Sequence, residues 1–185
     1  MPDNYTPTVL SIAGSDNYAG AGIQVDSKTI HALGAYAFTV ITALTAQNST
    51  GVKSVLATPT EIFKTQLESI LDDIHVDAMK IGMLANMDIV SVLIDTIDKY
   101  KLKNIVLDTV FISSSGKTLL EEDAIELMVK ELFPRVDLIT PNIPEVNALL
   151  GTNYVGLEDD IPVVASALFD LGAKAFLIKG GHSTD

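Results

Sequence analysis

Asn142 and Glu145 stand three residues apart in the stretch TPNIPE, so on the first turn of a helix they share one face. An amide oxygen and a carboxylate are hard ligands, suited to Mg2+ held mainly through waters and substrate phosphates. Asp108, closing the apolar run NIVLD, offers a second carboxylate, and Lys179, ahead of Gly180 and Gly181, puts a cation where a phosphate could lie. Lysine is seldom buried for packing alone. The Asn-x-Pro-Glu pattern also caps a helix and starts it with proline, and at the level of sequence both uses stand.

A second group of residues gathers around VLSIAGSDNYAGAG, Val9 to Gly22. Gly14, Gly20 and Gly22 do not have the G-x-G-x-x-G spacing of a dinucleotide loop. Their lack of bulk would let a ligand reach the backbone N–H groups at the start of the next helix, although a tight strand–helix crossing uses small residues too. Asp26, four residues past Gly22, either aims its carboxylate back into such a pocket or faces water. Gln47 ends an apolar run, where its amide could read a heteroaromatic edge with one donor and one acceptor, or cap a turn. In SSSGKT, Phe111 stands where a Walker A loop needs glycine, so Gly116 and Lys117 read as an exposed turn.

These residues need elements to place them. TVLSIAG, AYAFTVITALTAQ, DAMKIGML, NIVLDTV, DLITPN and AFLIKGG read as buried strands, and GVKSVLA as a short edge strand. Between them run helices: GIQVDSKTIHAL; one opened by a capping box at Thr58 to Glu61; MDIVSVLIDTIDKY, with Ile89, Val90, Leu93, Ile94 and Ile97 inward; LEEDAIELMVKELF; PEVNALLG; and DIPVVASALFDLG. Alternating strands and helices with near-continuous apolar strands predict an α/β domain over 1–185 with a mostly parallel sheet covered on both faces. Ligands then sit beyond the carboxyl ends of the strands. Gly14, Gln47, Met83, Asp108, Val110, Asn142 and Lys179 all fall at those ends.

The 12 basic and 24 acidic residues give a formal charge of −12, and no basic tract offsets it. Nucleic acid and anionic membranes are therefore poor partners. No cysteine is present, which excludes disulfides and thiol chemistry. No basic-then-apolar leader opens the chain and no apolar run is long enough to span a bilayer, so the expectation is a cytoplasmic protein.

The blocks SIAGSDNYAGAGIQVDSKTIHALGAYAFTVITALTAQNSTGV, KIGML, VLDTV, LITPNIPE and IKGGH, in this order along nearly the whole chain, resemble the hydroxymethylpyrimidine/phosphomethylpyrimidine kinases of thiamine synthesis. That family belongs to the ribokinase superfamily, beside the pyridoxal kinases. The resemblance implies a three-layer αβα sandwich of ribokinase-like form. It implies phosphorylation of 4-amino-5-hydroxymethyl-2-methylpyrimidine and then of its monophosphate with ATP and Mg2+, in a homodimer. Gly14, Asp26, Gln47, Met83 and Val110 correspond to the pyrimidine pocket, Asp26 and Gln47 bonding the ring and Met83 and Val110 packing on its faces. Asp108 and Glu145 correspond to the metal side, and Asn142 and Lys179 to the nucleotide phosphates. Pyridoxal kinase, or a truncated protein that binds the pyrimidine with little turnover, are the competing expectations.

Two departures from the family pattern stand out. Where the family has DPSGGAG, this chain has DNYAGAG, with Asn17, Tyr18 and Ala19 making the loop bulkier. The family's glycine-rich anion hole and general base follow later than Asp185, so no catalytic residue is assigned within 1–185.

Overall fold

The computed structural model describes residues 5–111, 118–156 and 158–180. Six strands form one sheet: β1 (Thr8–Asp16), β2 (Tyr36–Asn48), β3 (Gly51–Ala57), β4 (Ala78–Ile81), β5 (Ile105–Leu107) and β6 (Leu138–Ile139). Their spatial order is β3-β2-β1-β4-β5-β6. All neighbours are parallel except β2 and β3, where the edge strand runs antiparallel. The chain order reverses between β1 and β4, which makes that gap the switch point where open α/β sheets place their ligands.

Side-chain alternation divides the sheet into two faces. Leu10 and Ile12 of β1, Met79 and Ile81 of β4, and Ile105 and Leu107 of β5 join one buried cluster. The same cluster holds Phe63 and Leu67 of α2 (Thr60–Leu71) and Leu93 of α3 (Met87–Tyr100). The intervening residues point the other way: Ser11 Oγ and Lys80 Nζ both reach Asp26 on α1 (Gly22–Ala32). Helices thus cover both faces, giving the three-layer αβα arrangement. Each fully buried Leu, Ile or Phe contributes about 1.5–3 kcal/mol, and this cluster is the main source of stability.

α3 forms where the sequence places it, because every local signal agrees. Asn86 caps it by accepting from Ile89 N–H at 3.0 Å, Asp88 and Lys99 suit its two dipole ends, and Ile89, Val90, Leu93, Ile94 and Ile97 are buried. The start of α2 differs from expectation. Its cap is Pro59, with no side-chain hydrogen bond, because Thr58 Oγ1 donates to Ile41 O at 2.8 Å and ties the helix entrance to β2.

The expected helix from Leu120 to Phe133 is divided. α4 (Glu122–Leu127) widens into a π-helical stretch (Met128–Leu132), with Phe133 N–H bonded five residues back to Met128 O, and ends in a 3-10 turn (Phe133–Arg135). Pro134 has no N–H to continue an α-helical ladder, and the widened turn leaves both Leu132 and Phe133 fully buried. α5 (Ile143–Leu150) and α6 (Ile161–Asp170) follow. The final strand, expected over AFLIKGG, runs parallel beside β6 only through isolated bridges, Ile139 with Phe176 and Asn142 with Lys179. Pro141 between them accepts from Lys179 N at 2.8 Å but cannot donate, which interrupts the ladder. Among the described residues no helix is long and apolar enough to cross a membrane. Gly116, Lys117, Gly181 and His182 lie outside the described residues.

Candidate active site

A cleft of about 580 Å3 opens at the carboxyl ends of β1, β2, β4 and β5 and the start of α5, over the switch point. Its floor is made by the loop after β1. Asp16, 3% exposed, organises that loop with one carboxylate: Oδ1 accepts from Tyr18 N at 2.7 Å, and Oδ2 from Gly20 N and Ala21 N, both at 2.9 Å. Burial pushes the Asp16 carboxyl upward, but these three N–H groups, with the Gln47 amide as a further donor, outweigh it and hold the group below the usual aspartate value. The N–H groups expected to be open to a ligand are thus partly occupied from within. Asp16 was not among the expected site residues. The available signal was its position, an acid directly ahead of a glycine-rich helix start, where backbone donors collect.

Glycine is required at one position of this loop. Gly22 has φ +60° where α1 begins, and a Cβ there would lie 2.3 Å from Gly14 O. Gly14 itself lies under Met83, whose Cε would be 2.8 Å from an added Cβ. The carbonyl of Met83 is held by Thr42 Oγ1 across the sheet. Gly14, Gln47, Met83 and Val110 all line the cleft, so four of the five residues expected to hold a ring come together.

Asp26, the fifth, stands behind that lining. Its Oδ2 accepts from Ser11 Oγ at 2.6 Å and from Lys80 Nζ at 2.8 Å, and it is Lys80 that reaches the cleft. The cation was missed in the sequence because it sits mid-strand in AMKI, where alternation turns it away from the core. The ammonium is the one cationic group among the described lining residues. A chain with a formal charge of −12 therefore presents a local donor and positive charge inside this cleft.

Two further lining acids, Asp108 and Glu145, lie at the end of β5 and the start of α5. Asn142 and Glu145 form a reciprocal capping box for α5: Asn142 Oδ1 accepts from Glu145 N, and Glu145 Oε2 from Asn142 N, both at 2.8 Å. The amide oxygen expected as a metal ligand thus also serves the helix cap. Glu145 is almost wholly buried yet lines the cleft, and also accepts from Thr109 Oγ1 at 3.1 Å. Burial raises its carboxyl above the usual value. The Asn142 N–H, the Lys179 charge and Thr109 oppose that rise, and the Asp108 charge adds to it.

Lys179 does not line the cleft. Its Nζ is bonded to Asp108 Oδ1 and lies 3.9 Å from Glu145 Oε2, so it bridges the two carboxylates rather than standing alone at a strand end. Asp108 also accepts from Thr140 Oγ1 at 3.1 Å and faces the cleft. Among the described residues no cluster of three metal-binding side chains occurs. Two carboxylates at one end of a cleft suit a hard cation that keeps waters and takes its other ligands from phosphates, which fits Mg2+ rather than a fully caged ion.

Residues 16–185 match the phosphomethylpyrimidine kinase family. The hydroxymethylpyrimidine/phosphomethylpyrimidine kinases of Salmonella typhimurium and Escherichia coli are 46% and 45% identical over 176 residues, covering 95% of this chain. The chain spans 66% of the length of each of these relatives. A crystal structure of phosphomethylpyrimidine kinase from Clostridium difficile 630 superposes with a TM-score of 0.88 at 42% identity, covering 97% of this chain and 78% of that one. The pyridoxal kinase from Staphylococcus aureus in complex with pyridoxal superposes with a TM-score of 0.85 at 33% identity, covering 97% of this chain and 67% of that one. The shared architecture is the ribokinase-like sandwich.

Proposed function

Because this chain belongs to the phosphomethylpyrimidine kinase family, we propose that its protein is an ATP-dependent phosphotransferase acting on hydroxymethylpyrimidine and its monophosphate, as the names of its bacterial relatives read. The supporting observation is the polarity of the cleft. Ring-binding candidates Gln47, Met83 and Val110 share one cavity with the carboxylates of Asp108 and Glu145. In this reading Gln47 reads the ring edge, Met83 and Val110 pack on it, and Lys80, held by Asp26, donates to it. Asp108 and Glu145 hold Mg2+ through waters and phosphate oxygens, while Lys179 balances the paired carboxylates. Bound Mg2+ supplies charge neutralisation for the transferring phosphoryl group; the protein supplies alignment.

Cytoplasmic action and a homodimer belong to the same proposal. The exposed apolar pair Leu44 and Leu56, facing each other on the antiparallel β2–β3 edge at 51% and 67% exposure, is the surface a second copy would cover.

The test is ATP consumption by the full-length protein with 4-amino-5-hydroxymethyl-2-methylpyrimidine. Turnover with the pyrimidine and little with pyridoxal supports the proposal. Turnover with pyridoxal alone establishes the second reading, which the pyridoxal-bound structure at TM-score 0.85 favours. Ring binding without ATP consumption points to a pyrimidine-binding protein instead.

A further inference from the structure

On the strength of that kinase reading, we propose that Tyr18 is the stacking face for the flat ring of the acceptor substrate, with Asn17 as the brace that positions it. Tyr18 sits in the chain's own departure from the family loop, and the backbone around it is bonded throughout. Its N–H donates to Asp16 Oδ1, Ala19 N donates to Asp16 O at 3.0 Å, and Gly20 N donates to Asp16 Oδ2. Asn17 Oδ1 accepts from Gln47 N at 2.8 Å, which ties the loop to the end of β2. Lys28 Nζ closes over Ala19 O at 3.3 Å.

On this fixed backbone the Tyr18 side chain is 59% exposed and lines the cleft. It is the one aromatic side chain among the described lining residues. An aromatic ring on an ordered loop loses little freedom on binding and offers a broad face to a flat heterocycle. Met83 and Val110, from the ends of β4 and β5, supply apolar surface elsewhere in the same cavity. Position selects the ligand: Tyr18 and Gln47 are joined through Asn17, whereas the carboxylates suited to metal and phosphates lie beyond β5 and at α5. The ring beside Tyr18 is therefore the acceptor, not the nucleotide base. Asn17 bonds the Gln47 backbone N–H, so it acts through the Tyr18 loop and is a positioning residue.

Calorimetry with 4-amino-5-hydroxymethyl-2-methylpyrimidine on the full-length protein tests this, using Tyr18→Phe, Tyr18→Ala, Asn17→Ala and the double variant Asn17→Ala/Tyr18→Ala. Tyr18→Ala is expected to weaken binding about tenfold, equivalent to about 1.4 kcal/mol, and Tyr18→Phe to stay within about threefold. Asn17→Ala weakens binding by about threefold but adds nothing to Tyr18→Ala, since both act on one contact. Binding should also perturb the near-UV tyrosine absorbance, a signal lost in Tyr18→Phe while affinity is kept. Wild-type affinity in Tyr18→Ala, or equal losses in Tyr18→Ala and Tyr18→Phe, overturns the stacking role and leaves the kinase reading standing. A wild-type protein that binds no pyrimidine overturns the kinase reading itself, and the stacking role with it.

Discussion

Lys80 Nζ lies 2.8 Å from Asp26 Oδ2, joining β4 to α1 beneath the cleft, and both side chains are less than a third exposed. Ser11 Oγ donates to the same carboxylate oxygen. Removing either charge leaves its partner sheltered and unpaired. Lys80→Met and Asp26→Asn should each lower unfolding free energy by about 1–3 kcal/mol. In urea titrations the double variant should cost less than the two singles added together, by about 1 kcal/mol. Strict additivity would mean that the pair is not coupled.

Asp16 makes a prediction about acid. Its folded carboxyl sits below the ordinary 3.8, so the unfolded chain takes up the proton first as pH falls. The stabilisation is complete above that ordinary value and disappears as pH drops through the lower folded one. Asp16→Asn should lose about 1.5–3 kcal/mol at neutral pH, the range for hydrogen bonds to a charged group, and should show a flatter acid limb. An unchanged acid limb in urea titrations at stepped pH would rule out the carboxylate as the loop's organiser.

Glu145 predicts the opposite slope. Its folded carboxyl lies above the ordinary 4.5, so the folded protein keeps a proton that the unfolded chain has released. Stability from this group is greatest below 4.5 and declines as pH rises through the folded value. Glu145→Gln keeps an oxygen for the Asn142 and Thr109 donors and should remove that decline. The same variant should weaken Mg2+-dependent phosphoryl transfer by about 10- to 100-fold. Lost activity with retained stability marks a metal-side role, and joint loss of both would reduce Glu145 to a helix cap.

Gly22→Ala tests the loop geometry directly. A Cβ 2.3 Å from Gly14 O at φ +60° cannot be relieved by rotating a side chain, since the obstacle is backbone. Destabilisation of more than about 1 kcal/mol is expected, with weaker pyrimidine binding in calorimetry. By contrast, Gly14→Ala meets the flexible end of Met83 at 2.8 Å and should disturb the cleft more than the fold.

The fold is legible in the sequence wherever one residue has one use. α3 spans Met87–Tyr100 as its cap, charges and apolar spacing require, and the edge position of β3 follows from its half-polar alternation. Legibility fails where a side chain has two possible partners. Thr58 could cap α2 but bonds Ile41 O, and Asn142, offered for a metal, also caps α5. Asp26, offered for a ring, also holds Lys80 through Oδ2. Each contest is decided by a backbone group or charge brought near by the tertiary fold, which no spacing rule displays. Lys80 was findable by the reasoning that singled out Lys179, since a lysine inside a sheltered strand needs a partner.

The switch point between β1 and β4 has a consequence for inheritance. Apart from Lys80 within β4, the cleft residues described here lie at a strand tip or in the segment after it, while the strands beneath are filled by buried apolar residues such as Leu10, Ile12, Met79 and Ile81. Substitutions at the tips can thus change the shape and charge of the cleft while leaving that interior in place. Two solved kinases, one named for phosphomethylpyrimidine and one for pyridoxal, overlay this chain with TM-scores of 0.88 and 0.85 at 42% and 33% identity, so the backbone framework persists while most side chains differ.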